Sequence, residues 1–370
     1  MADDSPITAP QQAKPEWLTE RLRRSGILPQ GEVVAVDYAA NGDAFNSAIT
    51  HMTLTYAPDA PSEAPTRLVL KLNDRHWGAE ETQFYQLVAT ARLHAPMLVR
   101  CFDIAYSPET GCSHLLLEDH SATHGPPVTR ARTLAGDGVP PDWQMEGIIE
   151  SLARFHALFW EHPWLGKGVA EVRPWYRHEA DHRRHVARRE REWAQFRDSV
   201  GAELSADLHA LYERALAALP RLWDRYLARR VTALRQITLS NGDCYLAQFL
   251  CPLVPSPPRQ TYLIDWQAAS ANLAAYDLIY LMPTFWTPTQ RRESDREMSL
   301  LRRYHGALES HGVRGYALED LLVDYRLMLA YMVFDPIWDQ TSGASPTYWW
   351  PKLRCLTAAY TDLDCDGLLS

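Results

Sequence analysis

The chain has 370 residues, of which 46% are hydrophobic and 22% are charged, a balance typical of a globular protein with ample material for a core. A length of this size favours two domains over a single undivided core. The 37 basic residues against 46 acidic residues give a formal net charge of −9. Phosphate backbones would repel such a chain, which argues against a nucleic-acid partner.

We predict a cytoplasmic protein with no membrane partner, because neither a secretory signal nor a membrane span is recognised and because of the cysteine spacing. Charge or proline interrupts every strongly apolar stretch before it reaches the length of a membrane span. The N-terminal segment carries acidic residues and lacks the apolar region of a secretory signal. The six cysteines lie far apart and form no CxxC pair, which disfavours a disulfide scaffold and a zinc site.

The first third of the chain has the pattern of a small α+β domain. Residues 1–14 are polar and proline-spotted and are predicted to be disordered. Apolar alternation at 51–57 and 67–73, on either side of a proline-rich loop, indicates an antiparallel strand pair. Further helices are predicted at 15–28 and 80–93, and further strands at 101–107 and 112–120. Residues 15–120 therefore form the predicted N-terminal domain.

Beyond residue 120 the pattern becomes mainly helical. A Gly- and Pro-rich linker at 120–141 precedes a helix at 145–160, whose apolar residues recur at helical spacing. Two short apolar runs, at 237–243 and 260–266, interrupt the later helical patterns. Residues 121–370 form the predicted C-terminal domain.

A lysine in a strand, followed by a glutamate in the next helix, is the first pattern that suggests chemistry. Lys71 lies in the strand at 67–73, and Glu81 lies near the start of the following helix. In γ-phosphoryl transfer such a lysine holds the α- and β-phosphate oxygens of the nucleotide, and the carboxylate orients the lysine. A strand lysine considered alone is more often a solvated edge residue.

Two later aspartates complete the pattern. Asp243 ends an Asn-Gly-Asp turn, and Gln248 follows five residues later. An aspartate in this place can accept a hydroxyl proton, and an amide oxygen can bind Mg²⁺. Asp265 ends a short apolar strand, where its carboxylate suits the metal that bridges the β- and γ-phosphates. Each feature has an ordinary alternative as a turn or a cap, so it is their order that favours a kinase.

Seven short stretches in this order resemble the aminoglycoside phosphotransferase and choline/ecdysteroid kinase-like group of small-molecule kinases. They are RLVLKLN, EETQFYQL, HLLLEDH, ESLARFHALFW, SNGDCYLAQFL, YLIDWQAA and AAYDLIYLM. The resemblance extends from about residue 15 to 335. It implies an α+β, protein-kinase-like bilobal fold with a small N-terminal β-sheet lobe and a larger helical C-terminal lobe. It also implies Mg²⁺ as cofactor and ATP or GTP as co-substrate.

The resemblance assigns roles by position. Asp243 matches the catalytic base, Lys71 and Glu81 match the phosphate-positioning pair, and Asp265 matches the metal-binding aspartate. Asp277 matches an aspartate that supports the active-site loop. An exposed charge near a helix start is the ordinary alternative for Asp277.

Two further segments are matched to the nucleotide. Residues 41–47 occupy the phosphate-loop position, with Asn46 and Ser47 as nucleotide-binding candidates. The segment 117–120 occupies the hinge position, where the backbone at Glu118 and His120 would pair with a purine edge.

The chain departs from the family pattern at two positions. Asn241 stands where the family turn has histidine, and Gln248 stands where the family has asparagine as a metal ligand. These changes keep open an alternative function, a pseudokinase-like module that binds nucleotide or regulates but transfers little or no phosphate. A protein kinase is a third alternative, disfavoured because no extended activation segment follows Asp265.

The acceptor is predicted to be a small metabolite or antibiotic that is cationic, or at least polar and polyhydroxylated, such as an aminoglycoside-like or amino-alcohol compound. Residues 316–370 hold eight carboxylates against three basic side chains, and an acidic cleft concentrates cations. An acidic solvated tail is the alternative. Two histidine patterns are interpreted as structural: His156 as a hydrogen-bonded core residue, and the histidine-rich stretch 178–192 as a solvated helix.

Overall fold

A computed structural model describes residues 5–41, 47–74, 78–91, 93–173, 175–255 and 260–369. The chain divides into two compact units. The first comprises Met1–Gly125, Pro252–Ser256 and Tyr262–Ala269, and the second comprises Pro126–Cys251, Pro257–Thr261 and Ser270–Ser370. An antiparallel sheet in the first unit and a larger, mainly helical second unit confirm the α+β class.

The first unit is built on one antiparallel sheet. In chain order it contains helix α1 (Pro15–Arg24), strands β1 (Val33–Asn41), β2 (Ala48–Tyr56) and β3 (Arg67–Asn73), helix α2 (Ala79–Thr90), and strands β4 (Cys101–Tyr106), β5 (Ser113–Glu118) and β6 (His124–Gly125). The strand order is β1-β2-β3-β5-β4, so β3 is the central strand. Lys71 on β3 pairs with Ile49 on β2 and with Leu115 on β5.

The second unit consists mostly of helices. They are α3 (Arg130–Leu134), α4 (Asp142–Leu158), α5 (Glu179–Val200), α6 (Ala206–Leu222), α7 (Ala228–Ala233), α8 (Ala275–Leu281), α9 (Pro288–Arg292), α10 (Arg296–Ser310), α11 (Leu318–Met332), α12 (Asp335–Thr341) and α13 (Pro346–Asp362). Between α7 and α8 lie strands β7 (Thr238–Ser240), β8 (Phe249–Pro252), β9 (Tyr262–Leu263, in the first unit) and β10 (Ser270–Asn272).

The β7–β10 pair fixes where the Asn-Gly-Asp turn lies. The two strands are antiparallel, with Ser240 opposite Ser270. The turn therefore leaves the end of β7 beside the start of β10, and α8 begins shortly after β10 ends. Helix α4, whose Ile149 and Leu152 are buried, packs against β7, and the hydroxyl of Thr238 donates to the carbonyl of His156 (2.7 Å).

Tyr262–Ala269 groups with the first unit although the sequence pattern assigned it to the C-terminal domain. The backbone N–H of Leu263 donates to the carbonyl of Met97 (2.9 Å), and Leu98 forms a parallel bridge with Leu263. These bonds attach the segment that carries Asp265 to the chain just before β4, in the unit whose sheet carries Lys71.

The disorder predicted for residues 1–14 is wrong for the part of this segment that the structure describes. Ile7 and Ala13 are buried in the core of the first unit. The Ile7 N–H donates to Nδ1 of His114 (3.1 Å), and a short 3-10 helix spans Pro10–Gln12. The polar composition misleads because two apolar side chains are enough to attach the segment. Residues 1–4 lie outside the described residues.

Helix α5 is likewise not the uniformly solvated helix that its composition predicts. His182 is 3% exposed and His185 is 6% exposed. The ring of Trp175 lies 5.0 Å from the ring of His185. Among the described residues, no helix is both long and apolar enough to cross a membrane.

Candidate active site

In the first unit, Lys71 is held between two carboxylates. Its Nζ lies 2.7 Å from Oε2 of Glu81 and 3.2 Å from Oδ1 of Asp265. The lysine is 7% exposed, so it is not the solvated edge residue that strand lysines usually are. β3, α2 and the segment after β9 therefore bring these three candidate residues together.

The charges of this cluster depend on one another. Burial by itself would lower the pKa of Lys71, but Glu81 and Asp265 outweigh burial and raise that pKa above its usual value. Lys71 is therefore a permanent cation. One ammonium between two carboxylates leaves a formal surplus of one negative charge when both acids are ionised.

Apolar and backbone contacts fix Glu81 and Asp265. The backbone N–H of Trp266 donates to Oε1 of Glu81 (3.4 Å). The Trp266 ring stacks on Phe84, one turn along α2 from Glu81, with 4.0 Å between centroids and 10° between planes. Asp265 itself has φ 60°, in the left-handed region that non-glycine residues rarely adopt. Its side chain is 33% exposed, whereas that of Glu81 is 2% exposed. Asp265 is therefore the member of the cluster that presents a carboxylate to solvent.

In the second unit, Asp277 binds the backbone of the Asn-Gly-Asp turn. Its Oδ2 accepts from the N–H of Asn241 (2.8 Å), and its Oδ1 accepts from the N–H of Gly242 (2.9 Å). Gly242 has φ 84°, which allows the sharp reversal before Asp243. Asp277 is fully buried rather than exposed near a helix start. The turn is thus held by two charge-assisted hydrogen bonds.

His156 and Tyr304 lie behind Asp277. Nε2 of His156 lies 3.1 Å from Oδ2 of Asp277, and Nδ1 lies 2.6 Å from the hydroxyl of Tyr304. All three side chains are buried. The hydrogen-bonded core position predicted for His156 is observed, but its partner makes it part of the site. The LARFHALFW pattern gave no signal for this, because helical spacing reveals burial and not the partner.

Asp243 is partly buried and bonded to the other two candidates in its loop. Its N–H donates to Oδ1 of Asn241 (3.2 Å), and its Oδ2 accepts from Nε2 of Gln248 (3.2 Å). Asn241 therefore serves the turn through its side-chain oxygen. The amide nitrogen of Gln248 donates to Asp243, and the amide oxygen is the atom of this side chain that can act as a metal ligand.

The residues present match the way in which Mg²⁺ is usually bound. Mg²⁺ typically takes one or two protein oxygen ligands together with substrate phosphates and water. Asp265 and Gln248 offer such oxygens, one in each unit. Within the described ranges, no three His, Cys, Asp or Glu side chains converge into a dedicated metal cluster.

The hinge-position segment uses several of its backbone groups internally. The N–H of Glu118 donates to Arg100 O (2.9 Å), and the N–H of Asp119 donates to Arg67 O (3.3 Å). The carbonyl of His120 accepts from the N–H groups of Thr123 and His124. The N–H groups of Glu118 and Asp119 are therefore engaged within the first unit, and the pairing of the remaining backbone groups of Glu118 and His120 with a purine edge stays a prediction.

The side chains of the segment form an aromatic cluster. The His120 ring stacks on Tyr262, with 4.2 Å between centroids and 14° between planes, and His124 packs edge-on against both. Burial lowers the pKa of His120 and outweighs the opposing carboxylate of Glu118. Of the phosphate-loop candidates, Ser47 is half-buried just before β2, and Asn46 lies outside the described residues.

Asp119 is a residue of this segment that sequence reasoning missed. Its Oδ2 accepts from Nδ1 of His51 (3.0 Å) and from Nη2 of Arg67 (3.0 Å), and its Oδ1 accepts from the N–H of Ser121 (2.7 Å). These bonds outweigh burial and lower the pKa of Asp119 to about 2. An Asp-His dipeptide after a strand gives little warning of such a network, because its partners come from β2 and β3.

The acidic C-terminal region does not carry the excess charge that its composition indicates. Six of the eight carboxylates pair with cations, several from earlier in the chain: Asp324 with Arg230, Asp335 with Arg189, Asp339 with Lys352, Asp362 with Arg291 and Arg292, Asp364 with Arg326, and Asp366 with Arg214. The basis of the cationic-acceptor prediction is therefore removed, because a local count omits the distant partners.

Comparison with known proteins gives a family and a fold. The sequence model described as the ecdysteroid kinase-like family matches residues 81–313, more than half of the chain. No curated protein matches the sequence. The solved GDP complex of a mutant of aminoglycoside 2′-phosphotransferase-IIIa is similar, with a TM-score of 0.51 and 14% identity over 95% of this chain and 94% of that one. The GDP and kanamycin complex of APH(2″)-IIia has a TM-score of 0.50 and 15% identity over 94% and 96%. At these identities the likeness confirms the predicted kinase-like fold alone.

Replacing Asp277 with Asn should loosen the turn. An amide can accept at one oxygen only, so one of the two backbone N–H groups would face an NH₂ donor. We expect the free energy of unfolding to fall by about 2–3 kcal/mol, because a charge-assisted hydrogen bond is broken in a buried site. Hydrogen exchange at the amides of Asn241 and Gly242 should accelerate, and the exposed control Asp198→Asn should leave both unchanged. Equal exchange in wild type and Asp277→Asn would contradict the role given to Asp277.

The network around Asp119 should give a stability difference that depends on pH. Because the folded pKa of about 2 lies below the ordinary value of 3.8, the carboxylate stabilises the fold above pH 4 and loses this effect as the pH falls towards 2. Arg67 is partly exposed, so solvent screening limits the effect to about 1 kcal/mol. Denaturant unfolding should show Asp119→Asn less stable than wild type at pH 6, with the gap closing by pH 2. A gap that is constant across this range would exclude titration of Asp119 as its source.

Proposed function

The chain belongs to the ecdysteroid kinase-like family, and on this premise we propose that it transfers the γ-phosphoryl group of ATP or GTP to a hydroxyl group of a small polar molecule. The observation that carries the proposal is the burial of Lys71 between Glu81 and Asp265. Burying a lysine with two acids costs desolvation free energy, so its retention calls for a role of the charge. Phosphate binding would be such a role.

We assign nucleotide binding to the first unit. Lys71 is a permanent cation on the central strand, so it can hold the α- and β-phosphate oxygens without a change of protonation. Glu81 fixes the ammonium, and its own position is fixed by the backbone of Trp266. Positioning and electrostatic stabilisation are the main contributions that a protein makes to phosphoryl transfer.

We assign Asp243 as the base that orients or accepts the proton of the acceptor hydroxyl. The turn that carries it is held by Asp277, which favours one fixed position for the carboxylate. Gln248 donates to Oδ2 of Asp243 and thus helps to fix the orientation of the carboxylate. Asn241 replaces the usual histidine by bonding the backbone of Asp243.

We propose Mg²⁺ as the cofactor, with Asp265 as its candidate ligand in the first unit and the amide oxygen of Gln248 as its candidate ligand in the second. When both acids are ionised, two carboxylates against one lysine leave a surplus negative charge beside Lys71, which favours a divalent cation. When bound, Mg²⁺ would supply neutralisation of the charge on the β- and γ-phosphate oxygens. Gln248 reaches one methylene further than asparagine, so water could replace its oxygen at this position.

The lysine can be tested by nucleotide-dependent stabilisation. Mg²⁺-ATP or Mg²⁺-GTP should raise the melting temperature of the wild type, and at about 100 times the Kd the gain is about 2.7 kcal/mol. Lys71→Ala removes the phosphate contact but also strands two acids, so it should destabilise the fold as well, by about 3–5 kcal/mol. The double variant Lys71→Met with Glu81→Gln should recover much of that stability and still lack the nucleotide response. The exposed control Lys167→Ala should respond like wild type. A full response in the double variant would exclude Lys71 from the site.

The base can be tested by turnover. Nucleotide consumption is measured against a panel of sugars, inositols, nucleosides, amino sugars and amino alcohols. Asp243→Asn should lower turnover by about 10²–10⁴-fold while the nucleotide-induced rise in melting temperature persists. Gln248→Asn should match or exceed wild type.

The alternative function, a nucleotide-binding pseudokinase, predicts a different pattern in the same assay. Wild type would then bind nucleotide and phosphorylate no acceptor, and the pair Asn241→His with Gln248→Asn would restore transfer. Turnover by wild type that depends on Asp243 contradicts the alternative.

A further inference from the structure

A small polar cavity in the second unit lies outside the catalytic assignments made above. Its volume is about 30 Å³. Helix α5 contributes His185 and Arg189, α8 contributes Tyr276, and the end of α11 with the start of α12 contributes Tyr331 and Asp335. Trp175, in the loop before α5, and Met332 complete the wall.

His185 is the unusual member of this wall. It is only 6% exposed, and the rings of Trp175 and Tyr331 lie 5.0 and 6.2 Å from it. Across the described part of the chain, neither ring nitrogen of His185 has a hydrogen-bond partner. A buried polar group without a partner costs stability, and native proteins rarely retain one without a use. The neighbouring His182 on the same helix, by contrast, bonds the hydroxyl of Tyr331 (3.0 Å).

The chemistry of His185 selects its ligand. Burial, followed by the charges of Arg189 and Arg188, lowers the pKa of His185 to about 2, so the ring is neutral at physiological pH. A neutral imidazole offers one N–H donor and one nitrogen acceptor, and a hydroxyl group can satisfy either. An ammonium has donors only and could pair with the acceptor nitrogen alone, and a carboxylate has acceptors only and could pair with the N–H alone. A volume of about 30 Å³ accommodates one or two water-sized groups.

Tyr276 connects the cavity to the turn that carries Asp243. It directly precedes Asp277, which binds that turn, and it lines the cavity. Burial raises the pKa of Tyr276 to about 12, and Asp335 and Asp243 act in the same direction against Arg173. Tyr276 therefore belongs both to the cavity wall and to the helix whose Asp277 holds the turn. The carboxylate of Asp335 lies 3.5 Å from Arg189, which also pairs with Glu192 (2.9 Å), so Asp335 is not an isolated anion in the wall.

We propose that this cavity binds a second hydroxyl group of the acceptor, and that His185 is the residue that selects for it. The acceptor is then a molecule with at least two hydroxyl groups, one phosphorylated and one recognised, and it is uncharged where it meets His185. This inference rests on the proposed function, because it identifies the acceptor side of the same reaction.

The test compares His185→Phe with wild type on every compound of the panel that wild type phosphorylates, and on the mono-deoxy analogues of each. Phenylalanine keeps a ring in the wall but removes both nitrogens. We expect the KM of His185→Phe to rise about tenfold or more, with a smaller change in kcat, because a contact made equally in ground and transition states is lost. One deoxy analogue should be a poor substrate for wild type, and His185→Phe should no longer distinguish it. His185→Gln, which keeps a donor and an acceptor, should recover part of the loss.

The matched control is Phe196→Leu, which changes a buried ring of the same helix that packs on Trp349 and does not line the cavity. It should lower stability and leave KM and the deoxy discrimination unchanged. If wild type turns over acceptors and His185→Phe keeps both its KM and its discrimination, the inference is overturned and the proposed function stands. The cavity then holds water alone. If wild type phosphorylates nothing on the panel, the proposed function fails and the inference fails with it.

Discussion

The site depends on the pairing of two backbone N–H groups, those of Asn241 and Gly242, in the tight turn that directly follows β7. Both residues are buried, and a buried N–H group without an acceptor would cost free energy of folding. The carboxylate of Asp277 binds both, and His156 with Tyr304 binds that carboxylate from behind. Because α4, α8 and α10 each contribute one of these three side chains, the position of the turn depends on the packing of the second unit as a whole.

The first unit meets a different constraint, the burial of a charge. Lys71 lies on the central strand of the sheet with 7% exposure, so its ammonium has lost most of its water. Two carboxylates compensate for that loss, one from α2 and one from the segment after β9. Removal of Lys71 would leave two carboxylates without their cation, whereas removal of either acid would leave a one-to-one ion pair. The stacking of Trp266 on Phe84 fixes the two acids relative to each other.

In the second unit, most carboxylates of the C-terminal region form ion pairs within the protein. The acids of its C-terminal region are paired with arginine and lysine, several from distant parts of the chain, so they serve packing more than attraction of a ligand. His185 stands apart from this pattern, as a buried group whose polarity the fold does not satisfy. Within the described part of the chain, both ring nitrogens of His185 lack a partner, and on our proposal a ligand binds there.

The sequence by itself determined the α+β class, the strand at Arg67–Asn73 and the candidates Lys71, Glu81, Asp243 and Asp265, because periodicity and the order of motifs are local properties that a reader can follow along the chain. Only the tertiary structure decided which partners these residues have. The attachment of Ile7, the network of Asp119, the contact of His156 with Asp277, the neutralisation of the acidic region and the unpaired state of His185 all join residues far apart in sequence. Hydrogen bonds and ion pairs depend on distances of about 3 Å between atoms, and the pattern of residue types along a chain does not specify such distances until the elements have packed.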